Sequence, residues 1–105
     1  MRRIVLLALL LGFPGFAAAQ STGAEIAEHG NDKGALPCAA CHGEAGQGNT
    51  AIGAPALAGL PQAVIVSKLQ AFAAGQGGNA MMQRIARSLS PDERVAVADY
   101  FNRLK

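Results

Sequence analysis

Cys38, Cys41 and His42 concentrate the reactive side chains of this 105-residue chain in one run, Cys38-Ala39-Ala40-Cys41-His42-Gly43, and the chain has no other cysteine. Thiols three positions apart lie one helical turn from each other, so both sulfurs can reach the vinyl groups along one edge of a haem. The adjacent imidazole is a strong ligand for the iron, which makes His42 the candidate proximal ligand. Other uses of C-x-x-C fit less well. A dithiol redox site calls for a β-α-β surround, and this Ala- and Gly-rich chain has none. A structural zinc needs four ligands, and beyond these three only His29 remains, at a spacing no common zinc module uses. A plain disulfide leaves the position of His42 without a reason.

An iron held by His42 needs a ligand on its other face, and downstream the candidates are Met81 and Met82. A thioether is soft and neutral and favours ferrous iron. A His/Met pair therefore raises the reduction potential and suits a carrier of single electrons. One of two adjacent methionines is readily accounted for as core filling, and chemistry alone does not choose between them.

Positioning these groups falls to short helices and glycine-rich loops. Thr22 N-caps a predicted helix through His29, and Gly30 ends it in a left-handed conformation. Gly30-Asn31-Asp32-Lys33-Gly34 is loop chemistry, and Pro37 sets up the helical turn of the cysteine run. From Gly43 to Pro55 there is no periodicity, only an irregular loop with something to wrap. Pro61 opens a helix to about Ala74 carrying Val64, Ile65, Lys68, Leu69 and Phe72 at helical spacing, with Gly75 as its stop. A turn through Gly75-Gln76-Gly77-Gly78-Asn79 leads into a brief helix from Ala80 to Arg87. Ser90-Pro91-Asp92-Glu93 reads as a capping box that opens a last helix to Leu104, with Val97, Tyr100, Phe101 and Leu104 on its apolar face. No segment alternates as a half-buried strand does, so the fold class is all-α.

Residues 1–19 read as a signal peptide: basic Arg2 and Arg3, an apolar stretch from Ile4 to Phe16, and a small-residue cleavage site at Ala17-Ala18-Ala19. The apolar run is too short, and too broken by Gly12, Pro14 and Gly15, to span a bilayer. The expectation is a periplasmic domain over residues 20–105 with no membrane span after cleavage. A domain of that size is marginal on its own core, and Phe72, Tyr100 and Phe101 are its only aromatics. One haem c, covalent through Cys38 and Cys41, would supply the missing apolar mass. Its walls are expected among Ile52, Leu57, Leu60, Val64, Leu69 and Ile85.

The chain's nine Lys and Arg include Arg2 and Arg3, so the rest balance its seven Asp and Glu and residues 20–105 are formally neutral. No cluster resembles a nucleic-acid footprint. The signs are unevenly spread. Glu25, Glu28, Asp32 and Glu44 flank the cysteine run, whereas Arg84, Arg87, Arg94, Arg103 and Lys105 follow residue 80, an asymmetry able to orient docking.

From Thr22 to Leu104 the chain resembles the class I cytochromes c, the small periplasmic monohaem type in particular. The resemblance rests on Cys38-Ala39-Ala40-Cys41-His42-Gly43, Gly46-Gln47-Gly48, Pro55-Ala56-Leu57-Ala58-Gly59, Phe72-Ala73-Ala74-Gly75, a methionine before Leu89-Ser90, and Ala98-Asp99-Tyr100-Phe101. It implies a cytochrome c fold of four to five short helices and loops around one covalent haem. It also implies a ligating methionine about seven residues before the Leu-Ser pair, which selects Met82. By the same resemblance the Pro55 carbonyl accepts the His42 ring N–H, and the first and last helices cross with Gly23 and Ala27 against Tyr100 and Phe101. Many relatives carry a Gly-x-Arg arginine able to meet a haem propionate; here the stretch is Gly75-Gln76-Gly77. Leu57-Ala58-Gly59-Leu60-Pro61 and Met82-Gln83-Arg84-Ile85-Ala86 are similar to the cytochrome subunit of flavocytochrome c sulfide dehydrogenases.

The function expected is that of a one-electron carrier with a c-type haem, His42/Met82 axial ligation and no catalytic residues, shuttling between redox partners such as a flavoprotein dehydrogenase and a terminal oxidase. The alternative is the haem subunit of a larger oxidoreductase such as a flavocytochrome c sulfide dehydrogenase. A third reading, gas binding at an iron with no methionine ligand, would show as carbon monoxide binding to the reduced protein.

Overall fold

The computed structural model describes residues 22–105, and the expected signal peptide, residues 1–19, lies outside the described residues. Among the described residues five α-helices follow one another: α1 (Gly23–His29), α2 (Ala39–His42), α3 (Gln62–Ala73), α4 (Ala80–Arg87) and α5 (Pro91–Arg103), with a 3-10 turn at Thr50–Ile52. Among the described residues there is no strand, only an isolated antiparallel bridge between Asn49 and Ala54. The all-α expectation holds, and each predicted helix is present within a residue or two of its expected ends.

Local chemistry explains the boundaries. Both α1 and α5 open with a reciprocal capping box: Thr22 with Glu25, and Ser90 with Glu93 next to Pro91 in the first turn. Each satisfies two of the orphan backbone donors of a helix start. The box at Ser90 is the one anticipated; at Thr22 the cap was anticipated and the returning Glu25 carboxylate was not. Gly30 ends α1 at φ 78° with ψ −164°, a positive φ but not the left-handed helical conformation expected there. Asn79 caps α4, its Oδ1 accepting from the Met82 N–H at 2.8 Å.

The core sits where α1, α3 and α5 meet. Ile26 and Phe101 are its largest fully buried side chains, joined by Ile65, Leu69, Ile85, Leu89 and Val97. α5 is the central element, packing on both α1 and α3, while α4 lies on α3 and α2 on α1. The α1–α5 crossing is as close as the small face of α1 suggested. A Cβ on Gly23 would run into the Ala96 carbonyl oxygen and stand 3.0 Å from Tyr100 Cβ. The end of α5 also holds the loop ahead of α3: Gly59 N–H donates to Phe101 O at 2.9 Å, and Asn102 Nδ2 donates to Leu60 O at 2.8 Å.

Because the α5 backbone lies directly against Gly23 at that crossing, Gly23→Ala is expected to cost about 1–3 kcal/mol through overpacking. Thermal unfolding of the haem-loaded protein should show its midpoint lowered by several degrees, with the absorption spectrum of the folded protein unchanged.

Candidate functional site

The Cys38–His42 run forms one turn of helix, with Cys38 as N-cap and Gly43 as C-cap. Neither cysteine is in a disulfide; Cys41 is exposed and Cys38 half-buried against the core. Burial pushes the Cys38 thiol up to about 11, partly offset by a backbone hydrogen bond. A lowered value is what activates a Cys-x-x-Cys dithiol, and burial works against it at Cys38.

Among the described residues His42 is the one buried polar or charged side chain, at 8% exposure. Its Nδ1 lies 2.8 Å from the Pro55 carbonyl oxygen. A carbonyl can only accept, so Nδ1 carries the proton and Nε2 keeps its lone pair. Among the described residues no side chain or backbone group partners Nε2. An imidazole nitrogen that keeps its lone pair and has no protein partner is free to bind a ligand. A lone-pair imidazole nitrogen beside two free thiols on one helical turn is a donor set that fits an iron porphyrin.

The loop from Gly43 to Pro61 exists to bring that carbonyl to that ring. Gly48 N–H donates to His42 O at 2.7 Å, and Gly46 O accepts from Leu57 and Ala58 at 2.8 and 3.0 Å. At Gly48, φ is +83° and a Cβ would lie 2.7 Å from Ala56 N and 2.9 Å from Pro55 C, so only glycine lets this strand of loop pass so near the Pro55 backbone. The Gly46-Gln47-Gly48 stretch is thereby given a physical reason.

The two methionines diverge. Met81 is 51% exposed, whereas Met82 is half-buried and packs against the same core as Cys38. Asn79 holds the Met82 backbone from before, and Gln83 Nε2 ties α4 to the preceding turn through Gly75 O and Gln76 O at 3.2 and 3.3 Å. Of the expected pocket walls, Leu69 and Ile85 are core and Leu57 and Leu60 half-buried, while Ile52 and Val64 stand 59% and 39% exposed. Ile65 rather than Val64 is the buried member of that pair.

Sequence reasoning missed a polar group that joins distant parts of the chain. Asn31 Nδ2 donates to Ser88 O at 2.8 Å and to Glu93 Oε1 at 3.2 Å, while its Oδ1 accepts from the Lys33 and Ala35 N–H groups at 3.0 and 2.9 Å. Glu93 Oε1 also accepts from Ser90 N–H at 2.8 Å and lies 3.3 Å from Lys33 Nζ. The only sequence signals were a loop-type Asn and a capping Glu, neither of which names a partner some 60 residues away.

An open depression of about 250 Å³ between α1 and α2 is lined by Glu28, His29, Ala39 and Glu44. Among the described residues no group of three or more His, Cys, Asp and Glu side chains is placed to hold a metal ion by itself.

A small all-helical domain with a buried, singly bonded histidine next to paired thiols defines a class of haem-binding proteins. Residues 22–105 match the Cytochrome c family model, and the chain belongs to that family. It is 41% identical over 105 residues to the "Thiosulfate dehydrogenase electron acceptor" of Thiomonas intermedia (strain K12), covering 100% of this chain and 45% of that protein. It is likewise 41% identical over 90 residues to the protein of the same name in Stutzerimonas stutzeri (strain A1501), covering 80% of this chain and 40% of the relative. Among solved structures it resembles reduced recombinant cytochrome c4 from Pseudomonas stutzeri, with a TM-score of 0.75 at 30% identity over 79% of this chain and 46% of the other. The thiosulfate dehydrogenase TsdBA from Marichromatium purpuratum gives a TM-score of 0.75 at 37% identity, over 79% of this chain and 18% of that one. The chain thus spans less than half the length of the curated relatives it matches. As a member of that family it carries covalent haem c and has a haem electron-transfer role. Among the described residues no helix is long and apolar enough to cross a membrane.

Glu93 makes this architecture sensitive to acid. Burial raises its carboxyl, but the Ser90 hydrogen bond, the Lys33 ion pair and the Asn31 amide outweigh that and hold it below the ordinary 4.5. A lowered folded value contributes stability above the unfolded value, and that stability is lost as pH falls through the folded one. The difference in thermal midpoint between wild type and Glu93→Gln should therefore be full near neutral pH and shrink once the pH drops below about 4.5. A difference independent of pH would show that the charge of Glu93 contributes nothing.

Proposed function

We propose that this chain is a periplasmic one-electron carrier, exported through residues 1–19, whose haem is bonded through Cys38 and Cys41 and ligated by His42 and Met82. When bound, the haem supplies a reversible one-electron couple at its iron. The chain's residues do the rest. The observation that carries the reading is buried His42, with one nitrogen committed to Pro55 O at 2.8 Å and the other unpartnered.

That hydrogen bond fixes the ring and its tautomer and makes the free nitrogen more electron-rich. Met82 is supported over Met81 by its half-buried position on the core that also receives Cys38. Exposed Cys41 lies on the side from which an electron could pass to or from a docked protein, since the edge held by the thiols is then the edge nearest solvent. The relatives' names support an electron donor that oxidises a sulfur anion such as thiosulfate, with this chain as acceptor. A sulfide-oxidising flavoprotein is the competing donor.

The first experiment is absorption spectroscopy of the holoprotein. The ferric form should show the weak red charge-transfer band of methionine sulfur on iron. Met82→Ala should abolish it and lower the reduction potential by on the order of 100 mV or more, within the range that axial ligands command, while Met81→Ala leaves both unchanged. A band lost in Met81→Ala and kept in Met82→Ala would place the ligand one residue earlier. For the donor, rapid mixing of the ferric protein with a thiosulfate dehydrogenase and thiosulfate should reduce the haem. Reduction by a sulfide-oxidising flavoprotein instead, and not by that enzyme, would assign the other donor.

A further inference from the structure

His42 and Met82 lie on segments that meet only through tertiary structure. α2 packs on α1, α4 packs on α3, and α5 packs on both α1 and α3. Besides that long route, a short polar connection runs from the loop that leads into Cys38 to Ser88 at the end of α4 and to Glu93 in the first turn of α5. Among the described residues, every hydrogen bond and ion pair between residues 30–42 and residues 80–93 involves Asn31 or Glu93: Asn31 to Ser88 O, Asn31 to Glu93, and Lys33 to Glu93. Asn31 is fully used there, with two donors given across the gap and its oxygen taking two N–H groups of its own loop. Ser88 is the C-cap of α4, the eight-residue helix that carries Met82 in its first turn.

We propose that Asn31 and Glu93 form a clasp that positions Met82, holding the methionine segment against the histidine segment so that the thioether stays on the iron. The proposal rests on Met82 as the axial ligand. Asn31 is a positioning residue: it acts through Ser88 and α4 and is not itself a ligand. Its amide is irreplaceable for a chemical reason. Asn31→Asp is nearly isosteric, yet it sets a carboxylate oxygen against the Ser88 carbonyl and the Glu93 carboxylate, turning two attractions into two repulsions.

The test is competition for the iron by added imidazole, a nitrogen ligand that binds ferric haem only where the methionine is released. In holoprotein, Asn31→Asp should bind imidazole about tenfold more tightly than wild type, the scale of a lost hydrogen bond to a charged partner. The red band should weaken on warming at a lower temperature. In the double variant Asn31→Asp/Glu93→Gln a donor again faces the carboxylate, and part of the change should be recovered. Thr22→Ala, which removes the α1 cap far from the clasp, should destabilise the fold while leaving imidazole affinity within about twofold of wild type. Should Asn31→Asp yield no folded holoprotein, Glu93→Gln carries the same test with a smaller increase of about threefold.

Imidazole affinity equal to wild type, or raised no more than in Thr22→Ala, overturns the clasp. The ligation reading is checked separately by Met82→Ala. If that variant keeps the red band, Met82 is not the ligand and the clasp falls with it. If it loses the band while imidazole affinity in Asn31→Asp is unchanged, the clasp alone is wrong.

Discussion

The hydrogen bond from His42 Nδ1 to Pro55 O is the constraint from which most of this structure follows. An imidazole buried to 8% exposure must have its polar atoms placed, and here one nitrogen is satisfied by a carbonyl 13 residues downstream. Bringing that carbonyl within 2.8 Å obliges the chain to fold back tightly after α2. The segment is a loop that satisfies its backbone groups locally, through Gly48 to His42 and through Leu57 and Ala58 to Gly46. Side chains are the casualty. The loop is built largely of Gly and Ala and buries no large hydrophobic residue, and Ile52 stands open on it.

That leaves little apolar material for a core, and the helices are arranged accordingly. Buried residues cluster where α5 crosses α1 and α3, and a rim of half-buried side chains surrounds them, with Cys38, Leu57, Leu60, Phe72 and Met82 among its members. A haem bonded at Cys38 would extend this core from its rim, adding apolar area where the polypeptide supplies least. The arrangement agrees with a domain of this size relying on its cofactor for part of its stability. Close backbone contact at Gly23 serves the same economy, since two helices that touch without large side chains leave those side chains for the region near the haem.

Legibility in the sequence tracked the range of the interaction. Helix ends written in adjacent residues were readable: Ser90-Pro91-Asp92-Glu93 is a capping box in both sequence and structure, and Gly75 and Asn79 bracket the α3–α4 turn as anticipated. The reactive cluster was readable because its spacing is itself the chemistry. Pro55 came only through resemblance, because a backbone carbonyl leaves no mark in residue type. Val64 and Ile65 illustrate another limit: both fit a helical period, and which of them is buried depends on how α3 is rotated against α5. Asn31 was legible as a loop residue and Glu93 as a cap, but the bond between them is a product of the fold.

The same distinction bears on how such a protein transfers electrons. A carrier gains from holding its ligands in one geometry for both charge states, because any rearrangement adds to the barrier for transfer. Rigidity of that kind cannot come from the short helices alone: α2 is four residues long and α4 eight, lengths at which isolated helices are unstable in water. It has to come from bonds outside the helical ladder, local caps and longer-range ties alike. His42 is tied through Pro55, the start of α4 through Asn79 and Gln83, and its end through Ser88 to Asn31. In each case a short polar side chain or a loop carbonyl supplies what helix length and core size do not. The segments that would hold the iron are thus each held by such bonds. Met81, immediately beside Met82, stays exposed, so this turn of helix offers the core only one of its two thioethers.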